Sequence, residues 1–386
     1  MNATPAHAFA TRAVHAGRDD LAALGVHAAP IDLSTTYPAV DCVAEAARIE
    51  EFAAGMQPEG SPIYARLHNP TVARFESALA ELEGAEAAVA FASGMAAMSA
   101  CLLAVAAAGK RHIVAVRPLY GGSDHLLGAG LLGTEVTWAD PKGVAAEIRP
   151  DTGLVIVESP ANPTLTELDL AALAADCGQV PLLVDNTFAT PVLQRPITRG
   201  ASVVLHSATK FLGGHGDVLG GVVACGEEFA RGLRQVRVAT GGLLHPLAGY
   251  LLLRGLATLP VRVRAAQAGA HELALRLKDH PKVAAVHYPG FAVDRPGQMD
   301  GGGALVAFEV DGDAHKVVAA VGLITPAVSL GSVDTLIQHP ASLTHRVVGA
   351  ADREAGGIGE NLLRVSVGLE DVEDLWADLS GALDRA

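Results

Sequence analysis

Six short apolar runs recur between residues 87 and 225, and they constrain the fold of this chain more than any other feature. They read AAVAFA (87–92), HIVAV (112–116), LVIVE (154–158), PLLVD (181–185), SVVLHS (202–207) and GGVVAC (220–225). A strand with one face in water alternates apolar and polar residues, whereas a continuous run has both faces covered. Helical stretches such as LDLAALAADCG (168–178) separate several of the runs. Continuous apolar strands spaced by helices predict an α/β fold: a mostly parallel central sheet flanked by helices on both faces. Ligands of such sheets sit beyond the carboxyl ends of the strands. The polar residues that end the runs are therefore the ones to examine: Ser93, Glu158, Asp185 and Ser207.

Either side of these runs the pattern changes. Residues 1–60 are punctuated by Pro and Gly with little periodicity, and read as an arm. Asn69-Pro70 supplies a helix N-cap and first position, and Gly84 a C-cap, around TVARFESALAELE. Residues 87–109 are 23 consecutive uncharged positions, long enough to span a bilayer. The run is mostly Ala and is broken by Ser93-Gly94, so it reads as a strand followed by a buried helix. Beyond residue 246 a long helical region leads to a second strand set, GGALVAFEV (302–310) and NLLRVSVG (361–368), and to an amphipathic helix over 370–385. The predicted division is an arm (1–60), a large domain (61–245) and a smaller C-terminal α/β domain (246–386).

Composition narrows the function classes. Half the residues are hydrophobic and 18% are charged, which predicts a large core. A net charge of −14 leaves no basic stripe for nucleic acid or an anionic membrane. The cysteines at 42, 101, 177 and 225 form no CxxC pair, so neither a disulfide framework nor a zinc cluster is expected, and a reducing cytoplasm is. No apolar secretory core is visible in the first 20 residues.

The segment SVVLHSATKFLGGHGDVLGG (202–221) carries the chemistry. A buried strand empties into Ser-Ala-Thr-Lys and a glycine-rich loop. Lys210 fits a Schiff-base lysine with Ser207 and Thr209 binding a phosphate beside it. The same letters satisfy SxxK, the nucleophile motif of penicillin-binding proteins, in which Ser207 would open a helix. That motif's KTG partner is missing, and Ser123-Asp124-His125 only approximates SDN. The glycines are not followed by GK[ST], so they make no P-loop. Pyridoxal 5′-phosphate (PLP) needs a carboxylate at its ring nitrogen, and Asp185 at the end of PLLVD is placed for that, or equally for a turn cap. Its phosphate needs backbone N–H donors at a helix N-terminus. Ser93-Gly94-Met95 supplies such a turn, and Tyr120-Gly121-Gly122 offers an aromatic ring with room to approach.

Ordered motifs extend over nearly the whole chain: YARLHNPT (64–71), ASGMAA (92–97), YGG (120–122), ESPANPT (158–164), VDNTFATP (184–191), HSATKFLGGHGDVLGG (206–221), SLGSVDTLIQHPASLTH (329–345) and LLRVSVGLED (362–371). On these the sequence resembles the Cys/Met-metabolism family of PLP enzymes, which includes cystathionine γ-synthase, cystathionine γ- and β-lyases and methionine γ-lyase. The resemblance implies a PLP-dependent aminotransferase-like fold (fold type I). It implies that Lys210 binds PLP covalently and shuttles protons, that Asp185 pairs with the ring nitrogen, and that Asn162 lies near the 3′-oxygen. Gly94, Met95, Ser207 and Thr209 would bind the phosphate, joined by Tyr64 and Arg66 from a neighbouring subunit. Tyr120 would stack on the ring and act as acid or base toward the leaving group. Arg364, with Ser329 beside it, would clamp the substrate carboxylate. The active unit would be a dimer, paired into a homotetramer, acting on a small amino acid and using no metal.

Within that family, SLG and QHPASLTH most resemble methionine γ-lyases and some bacterial γ-synthase-like proteins. The expected reaction is γ-elimination, or γ-replacement, on a methionine- or homoserine-derived amino acid. A cystathionine γ-lyase or γ-synthase, or a lyase expelling another γ-substituent, stays open. Two positions depart from the pattern, and one segment is less usual. Gly122 stands where methionine γ-lyases typically have Cys, Asp334 replaces a Glu, and SDHLL follows YGG, leaving Asp124 and His125 as helix residues or as selectors of the γ-substituent.

Overall fold

A computed structural model of the chain describes residues 7–39, 41–58, 60–291 and 296–386. The start of the segment searched for a secretory signal, residues 1–6, lies outside the described residues. The runs become strands: β1 (Ala87–Phe91), β2 (His112–Val116), β3 (Glu135–Ala139), β4 (Thr152–Glu158), β5 (Leu182–Asp185), β6 (Val203–His206) and β7 (Gly221–Cys225). They form one sheet in the order β1-β7-β6-β5-β4-β2-β3, in which only β7 runs against its neighbours. The expected mostly parallel sheet is present. β3 stood outside the six runs, because this edge strand is only half-buried and its sequence EVTWA is mixed.

The main helices of this half are α1 (Phe9–His15), α2 (Cys42–Ala53), α3 (Pro70–Glu83), α4 (Gly94–Ala107) and α5 (Gly121–Gly128), followed by the short α6 (Val144–Glu147), α7 (Leu170–Cys177), α8 (Thr190–Leu193) and then α9 (Glu227–Thr240). The N-terminal arm is therefore more helical than its sequence suggested. α2 buries only Phe52, so no apolar stripe betrays it, and its start is fixed locally by Asp41 accepting from the N–H groups of Val43 and Ala44. α3 begins and ends as read: Asn69 caps Thr71 and Val72, Pro70 occupies the first turn, and Gly84 closes the helix at φ +77°.

Residue alternation along the strands sorts the core. Val204 and Val222 pack with Phe75, Leu79 and Leu82 of α3 on one face. Leu205 and Val223 pack with Met98 and Leu102 of α4 and Leu233 of α9 on the other. The apolar stretch at 87–109 is β1 and α4, and no described helix is both long and apolar enough to cross a membrane.

α10 (Pro246–Lys278), 33 residues long, packs on α3 and also reaches a second sheet. That sheet comprises β8 (Val283–His287), β9 (Leu305–Val310), β10 (Thr325–Pro326), β11 (Leu336–Gln338) and β12 (Leu362–Ser366), in the order β10-β11-β12-β9-β8. α11 (Ala314–Ala320), α12 (Ala350–Ala355) and α13 (Val372–Asp384) complete this half. β12 sets Arg364 directly opposite Gln338, at the sheet end that faces the large sheet's residues Asn162 and Phe188.

Candidate active site

The carboxyl ends of β4, β5 and β6 and the first turn of α4 enclose a cavity of about 260 Å³, closed from the other half by Ser329, Thr344 and Arg364. Gly94, Met95, Tyr120, Asn162, Asp185, Ser207, Thr209, Lys210, Ser329 and Arg364 all line it. Gly94 and Arg364, 270 residues apart in the sequence, thus meet where a parallel sheet directs its ligands.

Lys210 follows β6 in a turn, its N–H donating to the Ser207 carbonyl at 3.1 Å. Its ammonium donates to Ser329 Oγ at 2.7 Å. Burial, with the positive charge of Arg364 adding to it, brings the amine down to about 8. Residues 208–213 form turns and Ser207 stands before them, so it does not open a helix, and Lys210 reaches Ser329 instead of Ser207. The geometry that an SxxK nucleophile requires is therefore missing.

Two carboxylates stand side by side at the cavity floor, since Glu158 and Asp185 are register partners on β4 and β5. Asp185 Oδ1 accepts from the Thr187 hydroxyl at 2.5 Å and the Thr187 N–H at 3.0 Å. Burial pushes its carboxyl up, opposed by those two bonds and by the charge of His206. Glu158 accepts the N–H of Tyr120 at 2.7 Å and that of Asn162 at 3.0 Å. Burial, then the charge of Asp185, push its carboxyl well up. Glu158 therefore fixes the two backbone segments that carry Tyr120 and Asn162, a role its position at a strand end hinted at without revealing.

At the cavity's other end, Ser93 caps α4 by accepting from the Ala96 N–H at 3.1 Å. Gly94 is needed there by close approach: a Cβ would lie 2.9 Å from Ser207 Cβ. A Cβ on Gly221 would come 2.1 Å from the Ser93 carbonyl oxygen, so the antiparallel β7 also presses this turn into place. Thr209 Oγ1 donates to the Gly220 carbonyl at 3.1 Å and accepts its N–H at 3.0 Å. Helix N–H groups and hydroxyls gathered on small residues suit a phosphate.

Arg364 is buried and held as a fork. Its Nη1 donates to Asn162 Oδ1 at 2.7 Å and its Nη2 to the Ser329 carbonyl at 2.8 Å. With the amide oxygen of Gln338 turned inward, that oxygen accepts from both nitrogens at 2.7 and 3.1 Å. The guanidinium also lies over Phe188, 5.6 Å from the ring centre. Burial lowers Arg364 to about 10. Ser329 adopts φ +95°, rare for a residue with a side chain, and contacts both Lys210 and Arg364.

Other expected residues lie elsewhere. Tyr64 and Arg66 are exposed and do not line this cavity; Arg66 donates to the Val238 carbonyl at 2.8 Å and stacks on Tyr64. Asp124 is buried in a bidentate pair with Arg117, at 2.6 and 3.1 Å, and Arg117 also stacks 3.8 Å over Trp138 and bonds Asp352 at 2.7 Å. Asp124 thus braces the loop before Tyr120 without facing the cavity, while His125 is an exposed residue of α5. Asp334 is exposed and away from the cavity. A Cβ on Gly122 would lie 2.7 Å from Tyr120 Cε1, so the missing side chain lets the Tyr120 ring settle there. Phe188, Thr187 and Thr344 line the cavity without having been singled out; they lie inside VDNTFATP and SLTH, whose spacing alone carries no chemical signal.

An amine with a lowered pKa, a buried carboxylate and an anion-binding helix end share one cavity, and this donor set fits pyridoxal phosphate. The comparisons agree. The family model for Cys/Met metabolism PLP-dependent enzymes matches residues 10–384. An L-methionine gamma-lyase of Streptomyces avermitilis is 72% identical over 97% of this chain and 89% of its own length. One from Brevibacterium sandarakinum is 57% identical over 97% of both chains. Among solved structures, a cystathionine gamma synthase from Xanthomonas oryzae pv. oryzae, in complex with aminoacrylate and cysteine, superposes with a TM-score of 0.89 at 36% identity, covering 99% of each chain.

Proposed function

The chain belongs to the Cys/Met metabolism PLP-dependent enzymes, and on that premise we propose that it is a methionine γ-lyase-like carbon–sulfur lyase that expels the γ-substituent of L-methionine. Pyridoxal phosphate is its cofactor. When bound, PLP supplies an electron sink that acidifies the hydrogens on Cα and then on Cβ. The observation that carries the reading is Lys210, an amine lowered to about 8 in the same cavity as Asp185 and Arg364.

The residues divide the work as follows. Asp185 holds the ring nitrogen's proton. The first turn of α4 at Gly94 and Met95, with Ser207 and Thr209, holds the phosphate, and Asn162 approaches the 3′-oxygen. Arg364 receives the substrate carboxylate, its planar fork held in orientation by Asn162 and Gln338. Lys210 Nζ would take the proton from Cα, give it up at the cofactor's C4′ and, neutral again, take one from Cβ, with Ser329 Oγ steadying it between transfers. Tyr120 covers the ring and gives a proton to the departing sulfur. Loss at Cγ needs both deprotonations, so one mobile base serving two carbons suits elimination there.

Incubation with L-methionine should yield methanethiol, 2-oxobutanoate and ammonia in equal amounts, with one water consumed. Cystathionine, cysteine and O-acylhomoserines run alongside report β-elimination and replacement. A preparation that gains no visible absorption with PLP, or that turns over cysteine alone, would reject the assignment.

The active unit in this reading is a dimer, paired into a homotetramer, with Tyr64 and Arg66 reaching the neighbour's phosphate site. Their place outside their own cavity supports it, as do Leu219 at 69% and Val328 at 54% exposure on the cavity wall. The division into an arm (1–60), a large domain (61–245) and a small domain (246–386) is supported by the two separate sheets. A cytoplasmic site fits the four free cysteines.

A further inference from the structure

Behind the cavity, on the sheet face opposite Asp185, lies a carboxylate–imidazole pair that the roles above leave unused. Glu83 ends α3 and His206 ends β6, and both are fully buried. Glu83 Oε1 lies 2.5 Å from His206 Nε2 and also accepts from Asn186 Nδ2 at 3.2 Å. Asn186 is itself anchored, donating to the Gln194 carbonyl at 2.9 Å. Asp185 is in register with Leu205, so His206 is the next residue along the adjoining strand. Neighbouring strands are about 4.8 Å apart, which puts the imidazole within short electrostatic reach of Asp185 through a dry core.

A buried carboxylate is tolerable only beside a compensating cation or when neutralised. Asn186 is neutral, which leaves His206 as the balancing base for Glu83. The other acid that α3 buries, Glu76, is taken by Arg237 of α9. From the remaining packed elements, β4 presents Glu158 and β5 presents Asp185. β7 sets the apolar Val222 opposite His206, the thiols of Cys101 and Cys225 lie on the sheet's other face with α4, and Arg199 in the turn before β6 points away to the Gly297 carbonyl. Arg237, which pairs with Glu76, also reaches this level at the Ala90 carbonyl, two strands from His206. His206 itself lies between Glu83 on one side of the sheet and Asp185 and Glu158 on the other.

We propose that Glu83 and His206 form a charged pair that presents a fixed positive charge to the back of Asp185, and that both are positioning residues for the carboxylate at the cofactor's ring nitrogen. The proposal rests on the assignment of Asp185 made above. Signs then alternate from α3 to the ring nitrogen: Glu83 negative, His206 positive, Asp185 negative. A positive imidazole there favours the ionised form of Asp185 against the burial that opposes it. The charge of His206 acts on Asp185 in that direction.

The test uses Glu83→Gln and His206→Gln, with Asp185→Asn as control. The apoprotein is read by 13C NMR titration of the Asp185 carboxyl, and the holoprotein by PLP dissociation across pH. Both variants should titrate Asp185 about one unit higher, which below that pH weakens cofactor retention about tenfold. The KM for L-methionine should stay within about twofold, because Arg364 is untouched. Folded variants whose Asp185 titration and PLP retention match the parent would overturn the proposal. Should neither variant fold, 15N shifts of His206 in the unaltered protein decide: an imidazolium at pH 7 is expected, and a neutral ring overturns the idea. If Asp185→Asn leaves PLP retention unchanged, the assignment of Asp185 fails instead, whatever the pair does.

Discussion

Lys210 and Arg364 are both buried cations, yet burial serves them differently. For Lys210, desolvation and the charge of Arg364 favour the neutral amine, lowering it to about 8. A neutral amine is the nucleophile, so reconstitution of the apoprotein with PLP should quicken about tenfold per unit up to pH 8 and level off above it. Stopped-flow absorbance would show this, and a break near 10 would mean that the lysine is not desolvated. Arg364 stays charged and uses its planar fork to engage Asn162, Gln338 and the Ser329 carbonyl. Arg364→Lys keeps the charge but loses the fork. We expect KM for L-methionine to rise at least about tenfold, the equivalent of ~1.4 kcal/mol, with an unchanged circular dichroism spectrum.

The segment after β11 folds back over the loop that carries Tyr120, and His345 is its pin. Its Nε2 lies 3.2 Å from the Leu119 carbonyl, which can only accept, so Nε2 bears the hydrogen and Nδ1 accepts from Thr344 Oγ1 at 3.0 Å. Burial, then the charge of Arg364, hold His345 down at about 4. The unfolded chain protonates this histidine near its ordinary 6.5, and the folded chain does not until about 4. Stability is therefore whole above pH 6.5 and falls by ~3 kcal/mol as pH drops to 4. His345→Gln should flatten that limb of the urea midpoint against pH; an equally steep fall in the variant would assign it to other groups. This docking joins residues 119 and 345, which no local pattern connects. Within single elements the sequence was more readable. α3 announced both its ends, whereas α2, with one buried residue, and β3, with one neighbour, carried too little burial to leave a period.

At the scale of the molecule, two sheets meet at one cavity, and Tyr64 and Arg66 stay outside it. If they serve a neighbour's cavity, a subunit lacking them keeps its own Lys210, and a neighbour that retains Tyr64 and Arg66 can complete its cavity. Neither a Lys210→Ala protein nor a Tyr64→Ala/Arg66→Ala protein should be active alone. Unfolding and refolding the two together should recover about a quarter of the parent rate per site, because half the subunits pair with the other kind and each mixed dimer has one intact site. No recovery on mixing would place both residues in their own subunit's chemistry.

What the sequence determined by itself was the layered fold and the identity of the polar groups at the strand ends. Burial on both faces of a strand forces an unbroken apolar run, and a run must end where the chain meets solvent or ligand. Lys210, Asp185 and Ser207 were legible for that reason, and the motifs added Arg364 and Tyr120. Only the tertiary structure decided which partner each group meets. Ser329, not Ser207, holds the Lys210 amine. Glu158 ties Tyr120 to Asn162, Asp124 turns away from the cavity to Arg117, and Glu83 stands behind His206 across 123 residues. Hydrogen bonds and charge pairs act over a few ångströms of space. Chain separation carries no trace of them until the two sheets and their covering helices have packed.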